Sequence, residues 1–590
     1  MKRSKILALL LAVLLVVGTF AACGESSNSS SAASTASKAD ASSAANDTST
    51  PAEEESSEPA ADGTSTSSTG DHVLNMNATM EPTSLNTITS TYSIEFSMHK
   101  HLMENLYMLD DNDEPQPAAA ETVDISEDQK VYTFHLRDDG KWTNGEPVTA
   151  KDFEFAWQQV LNPDNAADYA YFLYDTLGIV NAKEFYEGSA SWEDVGVKVI
   201  DDLTLEVTLK NPIPYAPFLF TFGTLAPINE KFYTEVGADM YATEAENFCT
   251  NGAFKLTEWK HDSQIVMEKN ADFHRASEIE VDKINWKIIT DPQAAFTEFM
   301  SGGLDVVNLS TGELITQAEN QDIEVLSYAD GSAFYIYFNH SHEYLKNANL
   351  RKALALGFDK EGMVNSVYQN GNKPMTSFTC PEVKGSDGKS FAESLNTWNG
   401  GELTPKNGDV EAAKGYLETA LQELGCTVED LSASLSIDCG DSSNAINEAA
   451  FYQEQWRQNL GIEVTVNSMQ TKQGSENRKN GNYVMSLTGW GPDYNDPMTF
   501  LDLWVSTGGN NQTFYASEAY DKLIADAAVE TDLEKRQEMF YEVEKLIVED
   551  LPVAPSYWRF PSYAVNNDKI ASGVHRSTFQ DINVVNVKFN

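Results

Sequence analysis

In the segment T-G-W-G-P-D-Y-N-D-P-M-T-F-L-D-L-W, residues 488–504, Asp493 and Asp496 stand beside Trp490 and Tyr494 in a stretch whose glycines and prolines set a compact loop. A carboxylate withdrawn from water holds an ammonium group strongly when that cation brings compensating charge and hydrogen bonds. The same residue types also build Asx turns, in which the side chains satisfy nearby N–H groups, and composition does not separate the two readings. A second cluster, N-H-S-H-E, places His340, His342 and Glu343 where an extended chain can present them to a metal, or where they form a surface turn without one. His99 and His101 read as part of a helix start and its packing face. There is no G-x-S-x-G nucleophile elbow, no H-E-x-x-H pair and no Gly-rich phosphate loop with Lys-Ser or Lys-Thr. Catalysis therefore has little support, and neither a cofactor nor a metal is expected. The 90 acidic residues make accidental carboxylate pairs frequent, and none has a glycosidase setting.

These loops need a frame. Tyr132, Phe134 and Leu136 alternate as a strand, then Phe153, Ala156, Trp157 and Val160 recur at helical spacing. Leu203, Leu205, Val207 and Leu209 alternate again before N-P-I-P-Y-A-P breaks regular structure, which predicts a largely β insertion ending near residue 225. Next, I-N-W-K-I-I, a Pro-initiated helix carrying Ala295, Phe296 and Phe299, and an apolar run after two glycines give strand, helix, strand. A second α/β lobe is predicted from G-S-A-F-Y-I-Y-F-N, a helix with Ile446, Ala449, Ala450, Gln453 and Trp456 ending at Gly461, and I-E-V-T-V. Thr531 and Glu534 read as a capping box for a helix through Phe540, Val543 and Ile547. The final V-N-V-K-F is too short for a domain and is expected to join an earlier sheet, making one lobe discontinuous. Two α/β lobes joined by crossing strands form a cleft that closure can seal.

At the N-terminus, Lys2, Arg3 and Lys5 precede an apolar run that suits a secretory signal and is short for a stable span. No later run is long and apolar enough to span. F-A-A-C looks like a lipoprotein signal, with residues 1–22 removed and a lipid attached to Cys23. Residues 23–70, rich in Ser, Ala and Glu, cannot bury enough apolar surface to offset backbone entropy and read as a disordered tether. Removing residues 1–22 takes away three basic and no acidic residues, leaving 37 against 90, a formal charge of −53. Nucleic-acid binding is disfavoured by that charge. Cys249, Cys380, Cys426 and Cys439 allow three pairings, of which Cys426 with Cys439 closes the shortest loop; free buried thiols are the alternative.

Taken together, L-M-E-N-L-Y (102–107), Y-T-F-H-L-R-D-D-G-K-W-T-N-G-E-P-V-T-A-K-D-F (132–153), T-N-G-A-F-K-L-T-E-W (250–259), L-R-K-A-L-A-L-G-F-D-K (350–360) and G-W-G-P-D-Y-N-D-P (489–497) resemble the oligopeptide- and dipeptide-binding proteins of bacterial ABC importers, solute-binding protein family 5. The resemblance covers roughly residues 73–590. It implies an α/β, two-lobed periplasmic-binding-protein-like fold (type II, cluster C-like) with an additional mostly β subdomain. On this reading a discontinuous lobe I covers 73–110, 226–335 and 552–590, its inserted subdomain covers 111–225, and lobe II covers 336–551.

In peptide-binding members of the resembled family, the Asp of G-W-x-x-D-Y pairs with the ligand's α-ammonium group. The matching residue is Asp493, within the loop that also carries Gly489, Trp490 and Tyr494, and Gly489 holds the position whose backbone meets the peptide. Thr91 and Ser93, Tyr171, and Asn251 with Gly252 are further candidates, each with a structural alternative: a solvent turn, core packing and the start of a strand. Where some members carry Arg two residues before the loop Gly, this chain has Leu487, read as a core residue. The resemblance thus implies a monomeric, lipid-anchored extracytoplasmic protein that captures short peptides and hands them to permease subunits, without nucleic acid or cofactor. The alternatives are a receptor for nickel, haem or an oligosaccharide on the same scaffold, and a secreted hydrolase.

Overall fold

In Val73–Ala78 the alternating sequence V-L-N-M-N-A turns Leu74, Met76 and Ala78 into the core. This strand pairs in parallel with Lys283–Ile288 on one side and Val306–Asn308 on the other. Between those partners runs the Pro292–Met300 helix, started by the Asp291 carboxylate, which accepts the Ala294 N–H at 2.7 Å, and burying Ala295 and Phe296. The strand, helix, strand unit of the first lobe is therefore present. Its sheet has seven strands in the order Val325–Ser327, Ser562–Val565, Val306–Asn308, Val73–Ala78, Lys283–Ile288, Gln264–Lys269 and Phe254–Lys260.

The computed structural model describes residues 72–579 and 582–590. The signal over 1–22, Cys23 and the tether over 23–70 lie outside the described residues. No helix among the described residues is long and apolar enough to cross a membrane.

The second lobe has a six-stranded mixed sheet in the order Lys373–Pro374, Val553–Trp558, Ala333–Phe338, Met485–Trp490, Ser436–Gly440 and Thr465–Met469. The Ser443–Leu460 helix covers it, capped by Ser442 and stopped by Gly461 at φ 73°. Its buried row is Ala449, Tyr452, Trp456 and Leu460, while Ile446, expected inward, is exposed. The Leu533–Asp550 helix buries Phe540, Val543 and Ile547 as expected, but its cap is Asp532, whose carboxylate accepts the Lys535 N–H at 3.3 Å, rather than Thr531.

Pairing corrects the lobe boundaries. Ala333–Phe338 and Val553–Trp558 are neighbours in the second sheet, so the crossings fall at 328–333 and 558–562 rather than at 335 and 552. The C-terminal segment makes the first lobe discontinuous through Ser562–Val565, whereas Lys588–Phe589 of V-N-V-K-F pairs with Ile570–Ser572. The insertion over 111–225 contains the antiparallel sheet Ala120–Ile125, Val131–Leu136, Thr204–Thr208, Val197–Asp201 around buried Phe134, Leu205 and Val207. It is not mostly β: Ala150–Val160, Phe172–Thr176, Ala182–Tyr186 and Ala216–Leu219 are helical, and the last three are too short to display a helical period in sequence.

Cys249, Cys380, Cys426 and Cys439 are free thiols, so the Cys426–Cys439 bridge is not formed. The seven-residue Val428–Ser434 helix stands between the two.

Candidate functional site

The Met485–Trp490 strand pairs antiparallel with Ala333–Phe338, setting Gly489 opposite Phe334. A Cβ on Gly489 would lie 2.8 Å from the Phe334 ring and 3.0 Å from the Ala333 carbonyl oxygen, so glycine lets the two strands close. The chain then leaves the sheet as the 491–497 loop, where the two carboxylates part company. Asp496 is buried, accepts the Met498 N–H at 2.9 Å and receives a two-pronged ion pair from Arg536 at 2.6 and 2.9 Å. The Arg536 guanidinium also lies over the rings of Phe540 and Tyr215. Asp496 therefore anchors the loop.

Asp493 is different. Its backbone N–H donates to Thr499 Oγ1 at 3.0 Å, but its carboxyl has no hydrogen-bond or ion-pair partner among the described residues. It faces a cavity of ≈100 Å³ between the lobes, together with Thr91, Ser93, Lys100, Tyr169 and Tyr494. Burial, and then the charge of Asp502, push the Asp493 carboxyl up to about 8. Asp502, which sequence reading did not single out, is pushed up to about 7 by burial and by Asp496. Tyr494 stacks on Tyr215, 4.8 Å between ring centres and 1° between planes, and holds the loop against the inserted subdomain.

Ser93, at the start of the Ser93–Leu102 helix, also borders a larger cavity of ≈500 Å³. This second space is walled by Asn77 and Asn308 from the first lobe and by Gly440, Leu487, Thr488 and Tyr557 from the second. Leu487, read as core, thus lines a cavity. Fully buried Asp330 lies there, with Arg559 Nε at 2.8 Å and Arg576 Nη2 at 3.5 Å from its Oδ2. On the same wall the Glu448 carboxylate accepts the Tyr368 hydroxyl at 2.6 Å and the Tyr452 hydroxyl at 2.8 Å, and burial pushes it up to about 7. Asp330, Glu448, Arg559 and Arg576 line this cavity and were not singled out from the sequence. The available signal was Arg559 itself, a cation inside the aromatic run S-Y-W-R-F-P-S-Y.

The remaining candidates divide. Tyr171 is half-buried and within electrostatic reach of Asp493 and Asp502. Trp490 is half-buried and lines neither cavity. Asn251 is a backbone clamp: its Oδ1 accepts the Glu104 N–H and its Nδ2 donates to the Glu104 carbonyl, both at 2.9 Å. Gly252 abuts the backbone of Leu102 and Met103, where a Cβ would fall within 2.7 Å of Met103 N. Neither borders the two cavities. The histidines also have structural partners. His99 Nε2 meets the Leu85 carbonyl at 3.0 Å and His101 Nδ1 meets the Ser97 carbonyl at 2.7 Å, with burial pushing each down to about 4. His340 faces the Leu551 carbonyl and His342 faces Ser434.

With this geometry in place, the comparisons identify the lineage. The description "Bacterial extracellular solute-binding proteins, family 5 Middle" matches residues 114–512. The chain belongs to that family. It is 34% identical over 503 residues to the dipeptide-binding protein DppE of Bacillus subtilis, covering 85% of this chain and 89% of the relative. It is 33% identical over 499 residues to the oligopeptide-binding protein OppA of the same organism, covering 83% and 88% respectively. Among solved structures it is similar to Listeria monocytogenes OppA bound to peptide, with TM-score 0.76 and 31% identity over 88% of this chain and 99% of that one. The two-lobed α/β fold is that of family 5, and the family is one of solute-binding transport proteins, not enzymes.

Proposed function

We propose that this protein is the extracytoplasmic peptide-binding component of an ABC importer, which closes its lobes on a short peptide and delivers it to the permease. The observation that carries the reading is the unpartnered Asp493 carboxyl facing an interlobe cavity, a place that a peptide's α-ammonium group would neutralise. The larger adjoining space, ≈500 Å³, falls within the range that encloses small organic ligands. The two Bacillus subtilis relatives are named for oligopeptide and dipeptide binding, and the Listeria protein is bound to peptide. Backbone groups of an extended ligand would pair near Gly489 in the manner of an added strand, so that affinity comes from what all peptides share. Lipid attachment at Cys23 and tethering through 23–70 belong to the same proposal and rest on the sequence pattern alone.

Mass spectrometry of material released from the purified protein, paired with calorimetry against a random peptide pool, tests this function. Heterogeneous short peptides are the expected result, and a single sugar or metal complex overturns it. Membrane fractionation of a Cys23→Ser variant tests the anchor, which is lost if the variant stays with the membrane.

A further inference from the structure

We propose that Glu448, with the hydroxyls of Tyr368 and Tyr557, forms a pocket on the larger cavity that takes a basic side chain of the bound ligand. The inference rests on the peptide reading above and names the side-chain class that such a ligand carries. Glu448 lies in the Ser443–Leu460 helix, in the row that otherwise turns Ala449, Tyr452, Trp456 and Leu460 inward. An apolar residue there would fill the space without taking a carboxylate out of water. Glu448 is only 5% exposed, yet it has no ion-pair partner among the described residues.

Its oxygens are held by neutral donors, the Tyr368 hydroxyl at 2.6 Å and the Tyr452 hydroxyl at 2.8 Å. The Tyr557 hydroxyl donates in turn to the Tyr368 oxygen at 2.9 Å, which extends the polar lining. Arg559 and Arg576 border the same cavity but turn to Asp330, Arg559 at 2.8 Å and Arg576 at 3.5 Å. The Arg559 charge is felt at Tyr368, and no ion pair joins it to Glu448 among the described residues. A carboxylate has about four lone-pair sites, so two hydroxyls leave it able to accept from an ammonium or guanidinium group. Burial holds the Glu448 carboxyl up at about 7, and an arriving cation favours its ionised form.

Placement selects a side chain as that cation. Gly440, Ala445 and Glu448 line the larger cavity together with Leu487 and Thr488 of the Met485–Trp490 strand. A peptide whose backbone follows this strand sends alternate side chains to opposite sides. With its α-ammonium group engaged at Asp493, the positive charge that meets Glu448 belongs to Lys or Arg.

The test uses the full-length protein and random tetrapeptide pools with free N-termini. Each peptide carries one Lys or Arg after its first residue, or uncharged norleucine or citrulline in that place. So acidic a chain attracts any cation at long range, and retention is therefore measured in about 0.5 M salt, which screens distant charges far more than enclosed pairs. The expected result is retention of the basic pool at least about tenfold over the neutral pool, within the range for a charged hydrogen-bonded contact. Glu448→Gln should remove the preference. Glu429→Gln is the control, because exposed Glu429 on the Val428–Ser434 helix carries the same charge and borders neither cavity.

Equal retention of the two pools by the wild type overturns the pocket. So does a preference that survives Glu448→Gln, or one that disappears in Glu429→Gln. The wild-type comparison decides even where Glu448→Gln fails to fold. Retention of neither pool removes the peptide reading itself, a distinct outcome from equal retention of both.

Discussion

Asp493 and Asp496 lie three positions apart in one loop, yet among the described residues Asp496 is paired with a cation, Arg536, and Asp493 is not. This difference predicts a pH signature. Held up at about 8 in the empty cavity, the Asp493 carboxyl is protonated at pH 6–7, and an incoming ammonium group favours its ionised form. Peptide capture should then release a proton, measurable by calorimetry in buffers of different ionisation enthalpy. Affinity should weaken by up to about tenfold per unit on acidification below pH 8, and fall again above it as the ligand's own α-ammonium group deprotonates. The linkage sign for the empty protein is fixed by the raised value: stability present at low pH is lost as pH rises through about 8. Asp493→Asn should therefore raise the melting temperature of the empty protein at pH 9 more than at pH 6. For binding, Asp493→Ala should weaken free-N-terminus peptides by about 10- to 100-fold. An equal loss for N-acetylated peptides would count against the ammonium contact.

At the scale of elements, the site depends on a strand that leaves its sheet and a helix that pins the exit. Gly489→Ala puts a methyl group against Phe334 and the Ala333 carbonyl, and should destabilise the protein by about 1–3 kcal/mol in urea titrations. The pin is the pair between Asp496 and Arg536 on the Leu533–Asp550 helix, largely enclosed and two-pronged. Arg536→Met leaves Asp496 without its charge partner and should cost about 3–5 kcal/mol. A loss below about 1 kcal/mol would show that the loop is held by something else.

For the whole molecule, function requires the lobes to part, since residues from both line each cavity. The sheets are crossed by 328–333 and 558–562, short connections suited to hinges. Ligand should stabilise the closed form by mass action, by about 2.7 kcal/mol at about 100 times Kd. Small-angle scattering should show a smaller radius of gyration with peptide than without it. An unchanged radius alongside measurable binding would remove closure from the account.

Local patterns made much of this legible. Alternation of Tyr132, Phe134 and Leu136 announced a strand of the insertion, and the Pro-initiated helix at Pro292–Met300 announced the first lobe, because strand and helix periods are properties of neighbours in the chain. The loop at 488–504 stood out for the same reason, its residue types lying side by side. Long-range choices were not legible. That Asp496 is paired and Asp493 is not depends on Arg536, forty positions away, and the Asp330 cluster joins residues 229 and 246 positions apart. Asn251 and Gly252 looked like site residues because their segment matched the family pattern, but packing used them to clamp Glu104 and Leu102. Sequence therefore settles which segments become strands, helices and turns, through nearest-neighbour sterics and periodicity. Which charges are neutralised, and which face the space between the lobes, follows from contacts that exist only once distant segments pack.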